Sequence, residues 1–387
     1  MAEYSTRGAL ESYEIKYASN ADGELWDGYV RKHYHASLFH MFGWLNVINR
    51  TYGHKIYRLI AYERDGNADH RSSIMPGQPS TNIAGVLPLA QLKHFYFGNI
   101  LISLPFLDGG GVLANCRAAE ASLIQEAIRL GREVGASRIE LRHEQRISCW
   151  DEITNVCASN LETPITTTIN SDKARMLLAL PESVETLLKS LKAKLRSQVR
   201  KPSKEGLICR TGGAELLSDF YKVFVANMRY LGSPVHSIEM MRTVLDEFSE
   251  RSAIFVVYKS NVALAAGLVV GHNKTLRNLW ASALRKYAPL GANMLLYLRM
   301  LEYACNHGYE VFDFGRSSPG EGTYRFKEQW GAKPMLLHWH YISLDGKSFN
   351  QENIDKERFK KAIRYWKMMP LNVTRLIGPA IRKHIGL

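Results

Sequence analysis

The sequence predicts an α/β protein built from two copies of one unit, each a mixed sheet with helices on both faces. Three observations carry that prediction. The order strand hairpin, third strand, helix and strand occurs twice along the chain. Each copy has an apolar stripe at helical spacing, followed by a glycine where the helix must stop and reverse into a strand. The segments around the hairpin and after the glycine also align residue by residue.

In the first copy, residues 55–62 (KIYRLIAY) and 83–90 (IAGVLPLA) are rich in β-formers and read as strands. NILISLPF follows as a third strand. A helix is expected over about residues 118–133, then Gly135 and the strand SRIELR. In the second copy, residues 253–259 (AIFVVYK) and 262–271 (VALAAGLVVG) form a hairpin around Ser260-Asn261. LRNLWASAL is its third strand, a helix is expected over about residues 291–306, and Gly308 precedes YEVFDFG. Ala84-Gly85-Val86-Leu87 corresponds to Ala266-Gly267-Leu268-Val269. Ile139-Glu140-Leu141, four residues after Gly135, corresponds to Phe312-Asp313-Phe314 after Gly308. Leu123, Ile124, Ala127 and Ile128 in one helix, and Leu295, Leu296, Met300 and Leu301 in the other, form the stripes that face a sheet.

The expected organisation is a first unit over residues 1–170, a second over 171–345, and a basic helical tail over 346–387. The second unit includes a basic inter-unit helix at 182–204, opening at Pro181-Glu182. Val184, Leu187, Leu188, Leu191, Leu195 and Val199 share its apolar face, opposite Lys189, Lys192, Lys194, Arg196, Arg200, Lys201 and Lys204. A further helix is expected near residues 214–230.

Composition bounds the class. The chain has 387 residues, enough for two ordinary domains, and its 46% apolar and 22% charged content is that of a soluble globular protein. Five scattered cysteines without a CxxC pair argue against a disulfide framework or a zinc site and for a reducing compartment. The first thirty residues hold no apolar h-region, and no run approaches the roughly 18 apolar residues of a spanning helix, so a cytoplasmic protein is expected. The formal charge of +13 points to an anionic partner: nucleic acid, anionic membrane, or an acidic ligand such as a nucleotide-linked substrate.

The repeated order resembles the acyl-CoA N-acyltransferase (GNAT) fold, and two such units resemble the Fem family of non-ribosomal peptidyl transferases and its acetyltransferase-like relatives. The residues that carry the resemblance are LKAKLRSQVRKPSKEGL, the run from LWASALRKYAPLGANMLL to EVFDFGRS, and GTYRFKEQWGA. With SLPFLDGGGVLA in the first copy, the chain is similar to the Fem-like proteins found with bacterial exosortase (PEP-CTERM) and exopolysaccharide systems. The resemblance spans about residues 30–340. It implies transfer of an acyl or aminoacyl group to an amine of an envelope precursor. Acyl-CoA or aminoacyl-tRNA would serve as co-substrate, with no permanently bound cofactor and no metal.

FDFGRSSPGEGTYRFKEQWGAKP, residues 312–334, is the candidate catalytic segment. It lacks the Gly-x-x-x-x-Gly-Lys-Ser/Thr spacing of a phosphate cradle. It leaves the end of a strand, where open α/β sheets bind ligands. An amine attacking an ester or thioester builds negative charge on the carbonyl oxygen, which a fixed cation stabilises. Lys327 matches the lysine of the Fem family's FK motif, to which the resemblance assigns this role. Arg316 can grip a phosphate or carboxylate bidentately, and Tyr324 and Arg325 can position the acceptor. Trp330 reads as a core anchor. Asp313 reads either as a partner ordering Arg316 or as a base. The attacking amine must be neutral, and Asp108, Asp313 and Glu328 all remain candidates for its base.

Residues 285–296 are the candidate donor site. Acyl-CoA enzymes of this fold use a Gln/Arg-x-x-Gly-x-Gly/Ala loop whose backbone N–H groups hold a pyrophosphate. Gly291, Ala292 and Asn293 fit its end, while Ala288 stands where its first glycine belongs. His40 and Trp44 match the region that lines the acceptor cleft in relatives. Lys194 and Arg196 belong to the basic face, readable as a solvated helix face or as a contact for tRNA or an anionic lipid. The tail mixes Lys and Arg with Trp, Met, Leu and Ile, a composition that suits a docked helix or one lying in a membrane interface, peripheral to the inner membrane.

The expectation is an N-acyltransferase acting on an amine-bearing envelope or polysaccharide precursor, with an activated acyl donor as partner. The alternatives are an aminoacyl-tRNA-dependent peptidyl transferase and a non-catalytic glycan- or lipid-binding scaffold.

Overall fold

The computed structural model describes residues 13–64, 83–95, 98–159, 165–346 and 356–386. The chain begins with β1 (Tyr13–Tyr17), α1 (Gly23–Lys32), α2 (Gly43–Tyr52), β2 (Lys55–Glu63), β3 (Ile83–His94) and β4 (Gly98–Ile102). β5 (Leu113–Ala114), α3 (Arg117–Glu133), β6 (Arg138–His143), α4 (Trp150–Ser159) and β7 (Thr166–Asn170) follow. Next come β8 (Ala174–Ala179), α5 (Val184–Ser190), α6 (Ala193–Lys204), β9 (Leu207–Gly212), α7 (Leu217–Leu231) and α8 (Ile238–Glu247). β10 (Ser252–Lys259), β11 (Val262–His272), β12 (Thr275–Ala283), α9 (Ala292–Asn306), β13 (Val311–Ser317), α10 (Gly322–Glu328) and β14 (Lys333–Leu336) continue the chain. It closes with β15 (His338–Ser343), α11 (Lys356–Met368) and α12 (Leu371–Arg382).

Two compact units result. One comprises Met1–Ser171, Leu337–Phe349 and His384–Leu387, the other Asp172–Leu336 and Asn350–Lys383. The first sheet has the order β1-β2-β3-β4-β6-β15-β7, with β5 also paired to β3, and the second β14-β8-β13-β12-β11-β10-β9. Each contains one parallel pair, β4 with β6 and β12 with β13, in otherwise antiparallel surroundings. The element joining each pair is the helix with the apolar stripe. Leu123, Ile124, Ala127 and Ile128 of α3 are buried with Leu87, Leu101 and Ile139 of the first sheet. Leu295, Leu296, Met300 and Leu301 of α9 are buried with Val257, Val269 and Phe312 of the second. Gly135 and Gly308 both adopt φ near +70°, at 66° and 70°, so each helix stops where a residue without Cβ can enter the left-handed region.

Three expectations need correction. The helix expected at 182–204 is two, because Leu191 and Lys192 are extended, with ψ of 139° and 147°. Ser190 Oγ donates to Leu187 O, and Arg196 Nη1 donates to Leu191 O at 2.6 Å, which satisfies carbonyls at the broken end. The segment belongs to the second unit, as expected. Leu187, Leu191, Leu195 and Val199 lie in the second core, and β8 pairs with both β13 and β14. Finally, residues 338–343 lie outside the second sheet: β15 pairs antiparallel with β6 and β7. The tail divides as well, with α11 and α12 in the second unit and His384–Gly386 in the first.

The third strand of the first copy is shorter than NILISLPF. β4 parts from β6 after the pair Ile102↔Glu140. Arg142, 1% exposed, bridges the opening. Its Nε donates to Glu140 Oε1 at 2.8 Å, Nη1 to Leu107 O at 2.5 Å, and Nη2 to Gly386 O at 2.6 Å. Gly386 O also accepts from Phe106 N at 3.0 Å, and the guanidinium stacks 4.3 Å from the Trp339 ring centroid. Arg142→Met would leave Glu140 buried without its counter-charge. A loss of about 3–5 kcal/mol is expected, read as a lower urea midpoint with an unchanged m-value.

Candidate active site in the second sheet

The second sheet opens at the equivalent place. β12 and β13 pair through Thr275↔Val311, Leu276↔Phe312 and Arg277↔Asp313, and then separate. Two irregularities sit at this point. β11 pairs Leu268 with Trp280 and Val269 with Asn278, which leaves Leu279 as an extra residue in β12. On the other side, β13 loses register with β8 between Asp313 and Arg316, and Gly315 takes φ +78°. Both strands are thus bent at the fork.

The base of the fork is a buried ionic cluster. Asp313 is fully buried, and its Oδ2 lies 2.8 Å from Arg175 Nη2 and 2.9 Å from Arg277 Nε. Gly315 N donates to Oδ1 at 2.8 Å. Burial by itself pushes the carboxyl pKa up, but the two guanidiniums and the Gly315 N–H outweigh it and hold the pKa below the usual range. Asp313 therefore does not serve as the general base, being a paired anion that solvent does not reach. Its partners are Arg175 and Arg277, where the sequence had suggested Arg316.

Above this cluster, β13 turns through the loop at Ser318 into α10, which returns Lys327 to the strand end. Lys327 is 7% exposed. Its Nζ donates to Gly315 O at 2.9 Å and to Arg316 O at 2.8 Å. The neighbouring residues of α10 explain why the lysine points inward. Phe326 and Trp330 pack with Tyr297 and Phe314 in one aromatic group, which clamps the helix to the second core. Trp330 is thus a core anchor. Tyr324 packs partly on the same core, while Arg325 and Glu328 are exposed. Arg316 is half-buried at the strand end.

Two residues at the fork escaped the sequence reading. Asn278, at the end of the paired part of β12, donates to Tyr297 Oη at 3.3 Å, and its Oδ1 is buried without a hydrogen-bond partner. A buried unsatisfied acceptor is costly, and its position at an opening suits an N–H group of a ligand. Burial pushes the Tyr297 hydroxyl pKa up, so it stays neutral. The available signal was the adjacent polar pair Arg277-Asn278 between Leu276 and Leu279.

The donor loop is a 3-10 turn, Arg285–Leu290, followed by Gly291 at φ +74° and the N-terminus of α9. Ala292 is buried, while Gly291 and Asn293 are half-buried. α6 lies against this loop: Lys201 Nζ donates to Pro289 O at 2.8 Å, and Pro202 abuts Gly291. Arg196, Arg200, Lys201 and Lys204 line a hollow of about 510 Å³ on α6, with Lys194 exposed on the same helix.

The residues expected from the first copy sit in the first unit, and two of them are structural. Trp44 is fully buried, and its Nε1 donates to Leu38 O at 2.8 Å. His40 is buried, with Nδ1 accepting from Ser37 N at 3.0 Å. Neither presents a face to an acceptor, which corrects the substrate-binding assignment of both. Asp108 is half-buried, and its carbonyl accepts from Trp339 Nε1 at 3.3 Å. The glycines after it serve packing, since a Cβ on Gly111 would overlap the His143 ring. Among the described residues no group of His, Cys, Asp and Glu is arranged to hold a metal ion.

Asp313→Asn would leave two buried guanidiniums without a counter-charge, at a cost of about 3–5 kcal/mol. Because the folded-state pKa is depressed, the wild-type stabilisation is full above about pH 4 and is lost as pH falls through the folded value. Urea midpoints measured from pH 7 downward should fall more steeply in the wild type than in Asp313→Asn once the pH drops below about 4, narrowing the gap between them. Parallel curves would show that this carboxylate is not the linked group.

Residues 189–328, about a third of the chain, match the family model described as the acetyltransferase (GNAT) domain. The matched span ends at the last residue of α10. No curated protein matches the chain significantly. Among solved structures, the crystal structure of FemX shares 14% identity, with 84% of this chain and 96% of that chain covered and a TM-score of 0.61. The C-terminal domain of a candidate lysylphosphatidylglycerol synthetase from Agrobacterium fabrum shares 12% identity, with 94% and 97% covered and a TM-score of 0.50. A tandem GNAT protein from the clavulanic acid biosynthesis pathway shares 10% identity, with 87% and 100% covered and a TM-score of 0.50. At such identities the likeness is one of fold. The fold is a tandem GNAT arrangement, and the second unit carries the acetyltransferase domain of a transferase.

Proposed function

We propose that the chain is an N-acyltransferase that moves an acyl or aminoacyl group onto an amine of a cell-envelope or exopolysaccharide precursor, with Lys327 stabilising the oxyanion. The observation that carries this reading is the Lys327 ammonium, almost buried and fixed on the Gly315 and Arg316 carbonyls at the mouth of the β12–β13 fork. A cation held in place before reaction needs no reorganisation when charge develops on the carbonyl oxygen. The donor enters along the loop at 285–291 with its carbonyl in the fork, and Asn278 Oδ1 accepts from a ligand N–H. The amine nitrogen bonds to the carbonyl carbon, and the thiolate or ribose oxygen leaves as the tetrahedral adduct collapses. The amine's proton passes to a carboxylate. With Asp313 sequestered, Glu328 and Asp108 remain candidates for that base. Arg316, Tyr324 and Arg325 hold the acceptor.

A second reading, aminoacyl-tRNA as donor, is favoured by Ala288 in place of the loop's first glycine and by the cations of α6 against that loop. Lys194 and Arg196 would then lie along a nucleic-acid backbone, although Arg196 also closes the end of α5. Likeness to FemX and to a candidate lysylphosphatidylglycerol synthetase, by their names, is compatible with this donor. An acceptor carried on lipid would bring the enzyme to the inner membrane surface, in keeping with the exopolysaccharide setting that the sequence resemblance suggests.

Calorimetric titration with acetyl-CoA, a longer acyl-CoA and a mixed aminoacyl-tRNA pool separates the donors. Saturable CoA binding lost in Gly291→Trp supports the first reading, binding of charged tRNA alone the second, and silence with all three counts against both. With the donor in hand, Lys327→Ala is expected to slow single-turnover transfer about 10²–10³-fold while leaving donor affinity within a factor of a few. An unchanged rate would remove Lys327 from the mechanism. The carboxylate whose amide variant abolishes the acid limb of the pH–rate profile is the base.

A further inference from the structure

α11 and α12 present a surface that the transfer reaction does not use. Both pack on the second unit through one side only. Trp366 of α11 and Thr374 and Gly378 of α12 are buried, Gly378 lies against Val235, and Arg229 Nε donates to Met369 O at 2.5 Å. The opposite sides carry large apolar residues in solvent: Tyr365 is 68% exposed, Met368 70% and Leu376 80%. Leu371 and Val373 are exposed between them, and Tyr230 and Leu231 are exposed at the end of α7. Gly232, the next residue, lies against Ile363 and Lys367, which makes that end of α7 continuous with α11.

The charge around these residues is of one sign. From Arg358 to Lys383 the sequence has eight Lys and Arg residues and no Asp or Glu. Lys361, Arg364 and Lys367 are exposed on α11 beside Tyr365 and Met368. An acidic peptide or a nucleic acid would satisfy the cations but would leave Met368 and Leu376 in water. A bilayer of anionic phospholipid satisfies both, with phosphates for the lysines and arginines and an acyl boundary for the apolar residues. Among the described residues no helix is long and apolar enough to cross a membrane, so such contact would lie in the interface plane.

We propose that α11 and α12 form a docking surface for anionic phospholipid bilayers, with Met368, Leu376 and Tyr365 entering the headgroup region and Lys361, Arg364 and Lys367 meeting the phosphates. This deepens the reading above by supplying the place where a lipid-borne acceptor is met, and it rests on that reading only for that purpose. Vesicle binding is measured without turnover, so either idea can fail alone.

The test is co-sedimentation of the full chain with vesicles of phosphatidylcholine alone and with about 30 mol % phosphatidylglycerol, a composition that sets a cytoplasmic-leaflet surface potential. The expected result is pelleting with anionic vesicles only, weakened in high salt. Met368→Ser/Leu376→Ser should lower the apparent affinity at least about tenfold, since two buried apolar side chains are lost, while thermal midpoint and donor binding stay unchanged. Lys361→Gln/Arg364→Gln/Lys367→Gln should weaken binding and its salt dependence together. Absence of pelleting overturns the proposal. So does binding that the serine pair leaves intact, because the contact would then be electrostatic only. Retention of the chain on mixed RNA without vesicle binding would reassign the surface to nucleic acid.

Discussion

Asp313 is a carboxylate with no access to water, held between two arginines from neighbouring strands and by the backbone N–H of Gly315 two residues on. Taking such a group out of water is unfavourable unless its partners are fixed, and removing any one of them leaves a charge stranded. This requirement ties three strands of the second sheet together at a single point. Arg175 comes from β8, Arg277 from β12 and Asp313 from β13, and the parallel pairing of β12 and β13 ends at this pair. The fork above it has a rigid base, and Gly315, whose carbonyl accepts from Lys327, is itself ordered by the same carboxylate. The role proposed for Lys327 would benefit from a support of this kind, since a small misplacement of a reacting group costs much of its effect.

The two copies of the unit diverge at this place. In the first sheet, Glu140 stands where Asp313 stands in the second, and its partner is Arg142 on the same strand. That guanidinium reaches across the opening to Leu107 and Gly386 carbonyls and stacks on Trp339. The first opening is therefore bridged by a buried cation whose donors are spent on the Glu140 carboxylate and on backbone oxygens. In the second, the facing side chain is Asn278, whose amide oxygen has no partner. The family match falls on the second copy, in agreement with this asymmetry.

Two clusters of basic residues have different neighbours. On α6 they surround the turn that leads into α9, where the N-terminal N–H groups of a helix favour anions. On α11 and α12 they flank apolar side chains left in solvent. The total of +13 conceals these clusters, because a sum carries no positions and the two suit anions of different kinds.

Much of the fold was legible along the chain. The repeated hairpin, strand, helix and strand follow from local periodicity and from glycines that end helices, and each was recovered in order. The segment carrying Lys327 was legible from the resemblance of its motif, and Trp330 as a core residue from its size and setting. What the sequence alone determined is therefore the kind of unit, its duplication and the segment that holds the candidate cation. The tertiary structure decided what depends on residues far apart in the chain. Arg175 and Arg277 become the partners of Asp313 because β8, 138 residues before it, joins β13 in the sheet. β15 crosses into the first sheet because β6 and β7 present free edges to it, a matter of pairing that no local pattern encodes. Trp44 and His40 fall into the core because burial depends on what packs around a residue, and its own type and spacing do not specify those neighbours.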